Sequence, residues 1–526
     1  MLKNGTRPAS PHVESLTHEL LRLARRPCDL KTLFKQDTER AKRYSINACN
    51  LFYDYSKNLF DESSVNYLIQ WANSQSLAQR IESLFNGEEI NLSENKVACY
   101  PSLRAGIHET DTPFYDNIMT ARQDMLDWAE LCHQGKIRGA TNQILTTIVN
   151  IGIGGSDLGP KMACQALGFY HHSDLNIYFV SNGDPTALHR LLPQLNPHTT
   201  LFILSSKSFQ TKETQFNIEA SFKWLSKRLP NLELSAHFVA VTAHIERVAQ
   251  LPFKVRHTFM IEDWVGGRFS IWSSIGLPLA IMIGKAHFKA FLNGARNMDH
   301  HFRNTPFFNN MPVMMALMSV WYVSFKHMQH HAIIPYQHLL RSFPNYLQQL
   351  EMESNGKSLT FSNQVSALAT CPVIWGGVGS NSQHAFHQYL HQGMHWGPID
   401  FIMVAKSPTV QNEQYRYLLA QCVSQAEVLM KGHDEPGSHY LAGNRPSSML
   451  ILAELSPENL GALIALYEHK IYVQSALWNI NAFDQPGVEQ GKRNADENDA
   501  RLIQGYADEF QDGSTQQLLN QLINWF

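Results

Sequence analysis

The sequence predicts an α/β protein that contains two units, each built on a parallel sheet. The chain has 526 residues, of which 44% are hydrophobic and 17% charged, so it is too long for one efficient core and apolar enough for two. From about residue 143, apolar runs at 144–149 and 200–204 are each followed by a Gly/Ser-rich turn and a helical stretch. A similar texture returns at 372–379 and 401–405. This alternation is typical of parallel strands covered by helices.

The two ends of the chain have helical patterns. Residues 1–95 carry apolar residues at helical spacing and contain no motif that indicates chemistry. At the other end, the polar residues 496–499 precede an amphipathic pattern over residues 502–523. This pattern predicts a final helix, an arm that packs on another surface.

Charge and cysteine usage exclude several classes of function. Lys+Arg 43 against Asp+Glu 46 gives a net charge of -3, which offers no general attraction for nucleic acid or an anionic membrane. The seven cysteines include no C-x-x-C pair, so neither a disulfide framework nor a zinc knuckle is indicated. The apolar stretches 269–284 and 311–325 are shorter than the ~20 residues that span a bilayer, and the first residues lack a signal peptide's apolar core. We therefore expect a cytoplasmic protein with no membrane or nucleic-acid partner.

A glycine-rich loop at residues 151–160 (IGIGGSDLGP) lies between a predicted strand and a predicted helix. Glycines let backbone N–H groups approach an anion, and the helix N-terminus adds free donors. The loop lacks the third Gly of the dinucleotide fingerprint, where Asp157 stands, and it lacks the G-K-[ST] of a P-loop. It therefore predicts an oxyanion site that is not a nucleotide site, the alternative being a tight structural turn.

A serine-rich loop at residues 205–211 (SSKSFQT) also follows an apolar strand and precedes a helix. Hydroxyls, a cation and a helix N-terminus converge there, and a phosphate dianion requires such a combination of donors and positive charge. This loop predicts a phosphate site, and the alternative is a Ser-rich helix cap.

Two charged residues have positions that suit catalysis. Arg268 follows two glycines and precedes an apolar segment, so it faces either a ligand or a paired carboxylate. Glu353 is predicted to lie at the end of a helix that Asn355 and Gly356 terminate in the left-handed region. The negative pole of a helix holds a carboxyl proton more tightly, which suits a general base. The alternative is a solvated glutamate.

The histidines give weaker signals. Asn381 or Ser382 is predicted to cap a helix that places His384 in its first turn, where the helix dipole would keep the imidazole neutral and ready for proton transfer. His327-x-x-His330-His331 lacks the Glu of H-E-x-x-H, so a solvated face is favoured over a metal site. We expect no metal and no cofactor.

Together these segments resemble the glucose-6-phosphate isomerase (phosphoglucose isomerase) family, in the family's order, from about Ile90 to Lys492. Residues 263–276 and 475–492 are similar to the family's two signature segments, and 352–357 (MESNGK) and 383–386 (QHAF) match motifs around its catalytic groups. The resemblance implies two sugar-isomerase (SIS) type αβα sandwich domains, and a homodimer that completes each active site. It divides the chain into a helical segment at 1–100, a smaller domain at 101–280, a larger domain at 281–500 and a helical arm at 501–526.

The resemblance also assigns roles to individual residues. Glu353 would shuttle a proton between two carbons of a sugar phosphate through an enediol, Arg268 would stabilise the enediolate, and Gln349 would line the sugar beside it. His384 and Lys492 would open the sugar ring. The phosphate would be held by Gly155, Ser156, Ser206, Lys207, Ser208 and Thr211.

The chain departs from the family's pattern at three positions. Tyr100 stands where the family usually has His, Ser208 replaces Thr, and Pro486 replaces a bulky residue. Ser208 keeps the hydroxyl that phosphate binding needs, and none of the three changes removes a catalytic group.

Three other functions compete with this interpretation. A non-catalytic sugar-phosphate sensor could dispense with Glu353, His384 and Lys492, all of which are retained. An aminosugar enzyme or other sugar-phosphate isomerase on the same scaffold, and a metal-dependent isomerase of unrelated fold, are disfavoured by the signature segments.

Overall fold

The structure is a computed structural model that describes residues 11–407, 409–505 and 512–525. The chain divides into two compact units, Met1–Ala482 and Phe483–Phe526. Both sheets belong to the first unit.

The strands are β1 (Ser45–Ala48), β2 (Leu51–Asp54), β3 (Thr147–Ile151), β4 (Asn176–Val180), β5 (Thr200–Ser205), β6 (Phe238–Thr242), β7 (His257–Met260), β8 (His330–Pro335), β9 (Val373–Gly376), β10 (Ile399–Lys406) and β11 (Ser447–Glu454). The helices are α1 (Pro11–Ala24), α2 (Leu30–Gln36), α3 (Arg40–Arg43), α4 (Glu62–Ser74), α5 (Leu77–Phe85), α6 (Tyr115–His133), α7 (Leu158–Ala166), α8 (Thr186–Leu191), α9 (Lys212–Arg228), α10 (Ile245–Val248), α11 (Leu277–Asn304), α12 (Met311–Val320), α13 (Phe343–Leu347), α14 (Gly379–Gln383), α15 (His387–Gln392), α16 (Glu413–Lys431), α17 (Pro457–Trp478), α18 (Pro486–Gln504) and α19 (Gly513–Trp525).

The smaller sheet has five parallel strands in the order β4-β3-β5-β6-β7. Every residue of β5 and β6 is buried, which explains why their sequences read as apolar runs without alternation. Ile218 and Leu225 of α9 pack into the same core as Leu204 of β5. Ile151 lies opposite Leu204, so β3 and β5 end side by side and the loops that follow them are neighbours.

The larger sheet has six strands in the order β1-β2-β11-β10-β8-β9. Strands β8 to β11 are parallel, whereas β1 and β2 form an antiparallel hairpin that adds β2 to the edge of β11. The sequence predicted a mostly helical N-terminal segment, and this hairpin is an addition to its helices. Its two strands are short, and their turn, Cys49 and Asn50, adopts φ of 52° and 59°, the two-residue hairpin geometry that Asn favours.

Helices α11 and α17 pack against each other at close range. A Cβ atom added to Gly294 of α11 would lie 1.7 Å from the carbonyl oxygen of Glu458, and one added to Gly461 of α17 would lie 2.0 Å from that of Phe291. These glycines therefore permit an approach that any side chain would block.

One apolar helix among the described residues, Ser274–Asn304, is long and apolar enough to cross a membrane by length and composition. It is longer than the apolar stretch seen in the sequence, and 72% of its most apolar window is buried inside the protein. Gly284, with φ 79°, breaks it into two helical parts.

In its described residues, the second unit contains the helices α18 and α19. The sequence predicted one final helix after residues 496–499, but this is wrong because those residues lie inside α18. The predicted apolar positions are shared between two helices, with residues 506–511 outside the described part.

Candidate active site

The glycine-rich loop leaves β3 as predicted, forms the turn Gly154–Ser156 and enters α7. Gly154 has φ 61°, a conformation that favours glycine. A Cβ atom on Gly155 would lie 2.1 Å from the carbonyl oxygen of Gly267 and 2.9 Å from the backbone nitrogen of Arg268. The glycine loop therefore packs directly against the segment that carries Arg268.

The serine-rich loop connects β5 to α9, also as predicted. Ser206 is buried, and its hydroxyl accepts the N–H of Phe209 at 3.1 Å. Ser208 is exposed and its hydroxyl accepts the N–H of Gln210 at 3.3 Å. Thr211 is the N-cap of α9, yet its side chain makes no capping hydrogen bond. Its hydroxyl therefore stays available at a helix N-terminus.

Asn150, which was not among the residues predicted from the sequence, joins the two loops. Its amide donates to the carbonyl oxygen of Ser156 at 3.1 Å, and its side-chain oxygen accepts the hydroxyl of Ser205 at 2.7 Å. The signal was an amide side chain in the middle of an apolar strand, where a buried polar group requires partners.

Lys207 supplies positive charge beside these loops. Its ammonium lies 3.8 Å from Oδ1 of Asp263, and the ammonium of Lys96 lies 2.7 Å from Oδ2 of the same carboxylate. Burial lowers the pKa of Lys207, and the adjacent Asp263 opposes that shift. The hydrogen bond from Lys96 lowers the pKa of Asp263, so this carboxylate stays ionised. Lys207 and Lys96 both contact this one carboxylate, and Glu94 also acts on Lys207 from nearby.

Arg268 is 4% exposed and is fixed by residues from distant parts of the first unit. Its Nε donates to the hydroxyl oxygen of Ser354 at 2.6 Å, and its Nη2 donates to the carbonyl oxygen of Ala482. Its Nη1 lies 3.7 Å from Oε1 of Glu353. The structure thus brings together Arg268 and Glu353, which the sequence treated as separate candidates.

Glu353 ends the π-helical turn Gln348–Glu353, and its side chain is 21% exposed. The helix ends after it as predicted, but the left-handed termination is wrong because neither Asn355 nor Gly356 has positive φ. Gly356 is required for another reason. Its N–H donates to the carbonyl oxygen of Met352, and a Cβ atom would lie 2.3 Å from that oxygen.

Gln349 lies on the same turn and faces the glycine loop. Its Nε2 is 3.1 Å from the place that a Cβ atom on Gly154 would occupy. Its Oε1 is buried and has no hydrogen-bond partner among the described residues. A buried amide oxygen without a partner is costly, so this atom is suited to receive a ligand hydroxyl.

His384 does not lie where the sequence predicted. The helix that should contain it, α14, ends at Gln383, so His384 follows the C-terminus of that helix and precedes α15, which begins at His387. The imidazole is exposed and makes no hydrogen bond to any residue in the described ranges. His387, three residues further along, is buried and bonds Ser382 and Gln425.

Lys492 lies on α18 and is exposed in the second unit. Among the residues that the structure describes, there is no group of three or more His, Cys, Asp or Glu side chains that could hold a metal ion. His330 instead accepts the indole N–H of Trp375 at 3.2 Å, and His331 lies 3.1 Å from Asp400.

Comparison with known proteins identifies the family. The sequence profile described as "Phosphoglucose isomerase" matches residues 54–519. The chain belongs to the phosphoglucose isomerase family. It is 42% identical to "Glucose-6-phosphate isomerase 1" of Chromohalobacter salexigens, over 94% of this chain and 91% of that protein. It is 43% identical to the glucose-6-phosphate isomerase of Helicobacter pylori, over 88% of this chain and 90% of that one.

A solved phosphoglucose isomerase family structure has the same fold. The glucose-6-phosphate isomerase of Chlamydia trachomatis superposes with a TM-score of 0.87 at 30% identity, covering 97% of this chain and 98% of that one. The predicted fold class, two SIS-type α/β domains with helical terminal segments, is therefore confirmed.

The structure also shows what surrounds Tyr100, the position where the resemblance led us to expect His. Its ring stacks on Phe269 with centroids 4.8 Å apart, and its hydroxyl lies 2.9 Å from Nδ1 of His469. The tyrosine therefore supports the residue that follows Arg268.

Proposed function

We propose that the chain catalyses the reversible isomerisation of D-glucose 6-phosphate and D-fructose 6-phosphate. The observation that carries the proposal is the pairing of Arg268 with Glu353, 3.7 Å apart, where the glycine loop packs on the arginine segment. A base and a fixed cation beside an anion site are what proton transfer next to a carbonyl group needs. Membership of the family supports the same reaction.

The phosphate would bind at the two loops that follow β3 and β5. Lys207 contributes charge and Thr211 contributes a hydroxyl at the α9 N-terminus. Charge-assisted hydrogen bonds of about 1.5–3 kcal/mol each would anchor the substrate and orient its sugar. The proposed phosphate ligands are Gly155, Ser156, Ser206, Lys207, Ser208 and Thr211.

The proton transfer would be carried out by Glu353. In the open-chain aldose, its carboxylate would remove the proton from carbon 2, giving a cis-enediol, and would return that proton to carbon 1 to give the ketose. A second proton moves from the oxygen on carbon 2 to the oxygen on carbon 1, so atoms and charge balance. Arg268 would stabilise the enediolate oxygen, and the unpaired Oε1 of Gln349 would accept a sugar hydroxyl.

His384 and Lys492 would open the sugar ring. We propose that the protein is a homodimer and that His384 serves the site of the neighbouring subunit. The exposed imidazole, with no hydrogen-bond partner in the described ranges of its own chain, supports this assignment. The reaction needs no cofactor, and we place the enzyme in the cytoplasm, in glycolysis and gluconeogenesis.

A coupled assay with fructose 6-phosphate tests the proposal. Turnover should persist after prolonged chelation and should be abolished by Glu353→Gln, which keeps the shape of the side chain but removes the base. General base catalysis contributes about 10²–10⁴ in rate, so a loss of that size is expected. Glu413→Gln, a matched change at an exposed position of α16, should have no effect. An inactive wild-type enzyme, or a fully active Glu353→Gln variant, would refute the proposal.

A further inference from the structure

Helix α17 is almost wholly buried, and its central turn contains four polar residues in a row. Tyr467, Glu468, His469 and Lys470 are each at most 1% exposed. Successive residues of an α-helix point about 100° apart, so these four side chains project to all sides of the helix. We call residues 467–470 the buried polar turn.

One side of the buried polar turn holds the segment of Arg268. Glu468 accepts the indole N–H of Trp272 at 2.8 Å, and Trp272 lies four residues after Arg268. Glu468 also binds Arg104 at 2.5 Å, and Arg104 forms a two-point pair with Asp299 at 2.9 and 2.6 Å. The carboxylate of Glu468 is therefore itself fixed before it fixes Trp272.

The other side of the buried polar turn holds the segment of Glu353. Lys470 donates to Oε2 of Glu351 at 2.9 Å, and both side chains are 1% exposed. Glu351 lies two residues before Glu353, on the same π-helical turn. Tyr467 and His469 tie the helix to the scaffold through Asp400 and Asp299.

Buried ion pairs of this kind are in general poor sources of stability. Removing two charges from water costs free energy that their attraction repays only in part, and apolar residues of similar volume often replace a buried pair without loss. What apolar residues cannot supply is a directed bond that fixes one segment relative to another.

We propose that the buried polar turn is the device that sets Glu353 against Arg268, with Lys470 and Glu351 positioning the base and Glu468 and Trp272 positioning the cation. Because one turn of one helix holds both segments, their separation is set locally. The two pairs, Lys470 with Glu351 and Glu468 with Trp272, are positioning residues, since they act through Glu353 and Arg268. The inference rests on the proposed isomerase activity.

The test separates position from stability with two variants of one pair. Glu351→Met combined with Lys470→Met removes both charges and the bond. Its melting temperature should stay within a few degrees of wild type, while kcat should fall at least about tenfold, because small misplacements of reacting groups cost up to about 100-fold. Glu351→Gln keeps an oxygen acceptor for Lys470 but removes the charge that is paired directly with that ammonium. It should lower the melting temperature more and kcat less, by under about threefold.

Trp272→Phe tests the other side, because it removes the N–H that Glu468 accepts and keeps a smaller aromatic ring beside Phe291. Its melting temperature is measured as well, since the smaller ring also loses packing at a buried position. Its kcat should fall by about fivefold or more. In every variant KM for fructose 6-phosphate and inhibition by inorganic phosphate should stay near wild type, since both report on the loops after β3 and β5. Glu427→Met with Lys431→Met, an exposed pair on α16, is the control and should change neither kcat nor KM.

A wild-type kcat in Glu351→Met with Lys470→Met would overturn the inference. A failure of this double variant to fold would also overturn it, because the ion pair would then serve stability alone. An unchanged kcat in Trp272→Phe would show that Glu468 and Trp272 do not position Arg268. The proposed function fails separately, if the wild-type enzyme does not turn over or if Glu353→Gln retains activity.

Discussion

Replacing Ser354 with alanine should slow catalysis through Arg268. Ser354 is fully buried, and its hydroxyl oxygen accepts Nε of Arg268 at 2.6 Å. A hydrogen bond to a charged group contributes about 1.5–3 kcal/mol, and about 1.4 kcal/mol corresponds to tenfold in rate. If the bond acts mainly in the transition state, kcat should fall by about 10- to 150-fold with little change in KM.

A double-mutant cycle isolates this pair. Arg268→Lys keeps the positive charge but loses the planar guanidinium group with its several N–H donors. Its kcat should fall by about 10²–10³, the usual cost of removing one oxyanion-stabilising donor. In that background Ser354→Ala should cost less than about threefold, because the ammonium no longer uses the serine. The coupling energy should therefore be about 1.5–3 kcal/mol.

Steady-state kinetics with thermal melting checks this prediction. Ser366→Ala is the control, since Ser366 is partly buried and its hydroxyl donates to the Leu368 carbonyl oxygen at 2.8 Å. The reasoning is refuted if Ser354→Ala keeps kcat within threefold of wild type, or if it costs the same whether residue 268 is Arg or Lys.

Three further predictions concern the dimer, pH and packing. Homodimers of Glu353→Gln and of His384→Ala should each be nearly inactive. Subunit exchange between them should restore up to about half of the activity in each mixed dimer, because one of its two sites then has both groups intact. If tagged chains verify the exchange and the mixed dimers are still inactive, a shared site is excluded. Burial lowers the pKa of His301 to about 4. The unfolded chain therefore binds the extra proton between pH 6.5 and 4, and stability is lost as pH falls through that window. Denaturant titrations should show that, between pH 7 and 5, the free energy of unfolding falls by about 2 kcal/mol less in His301→Gln than in wild type. Equal losses in the two proteins would contradict the lowered pKa of His301. Gly294→Ala should lower the free energy of unfolding by about 1–3 kcal/mol or more, because its Cβ would lie 1.7 Å from a carbonyl oxygen of α17. Gly168→Ala is the control, because a Cβ there meets nothing within 4 Å, and it should leave the free energy of unfolding unchanged.

The parts of the site that follow from local sequence order were predictable. Each loop that contains Gly155 or Ser206 lies between a strand and a helix, and neighbouring parallel strands bring such loops to the same edge. His384 was placed wrongly because α14 is only five residues long, and the sequence does not show where so short a helix ends. The β1–β2 hairpin was missed because each strand has only four residues, too few for a clear alternation.

The contacts that assemble the site were not predictable, because they join residues that are far apart in the chain. Nothing around Arg268 in the sequence indicates Ser354 as its partner, and nothing around Lys470 indicates Glu351. In sequence, each of these polar residues fits an exposed position equally well, since charged side chains are usually exposed. Only tertiary packing shows that they are buried in pairs.

The same contacts explain why the proposed catalytic pair depends on the whole first unit. Arg268 follows the smaller sheet, while its partners Ser354 and Glu353 come after β8 of the larger one. Before these two parts pack, Arg268 and Glu353 lie on separate segments, and neither can orient the other. Helix α17 bonds to both segments, so its docking completes the pair and fixes its geometry. A change that loosens α17 should therefore lower kcat while the loops after β3 and β5, which are built within the smaller sheet, still bind phosphate.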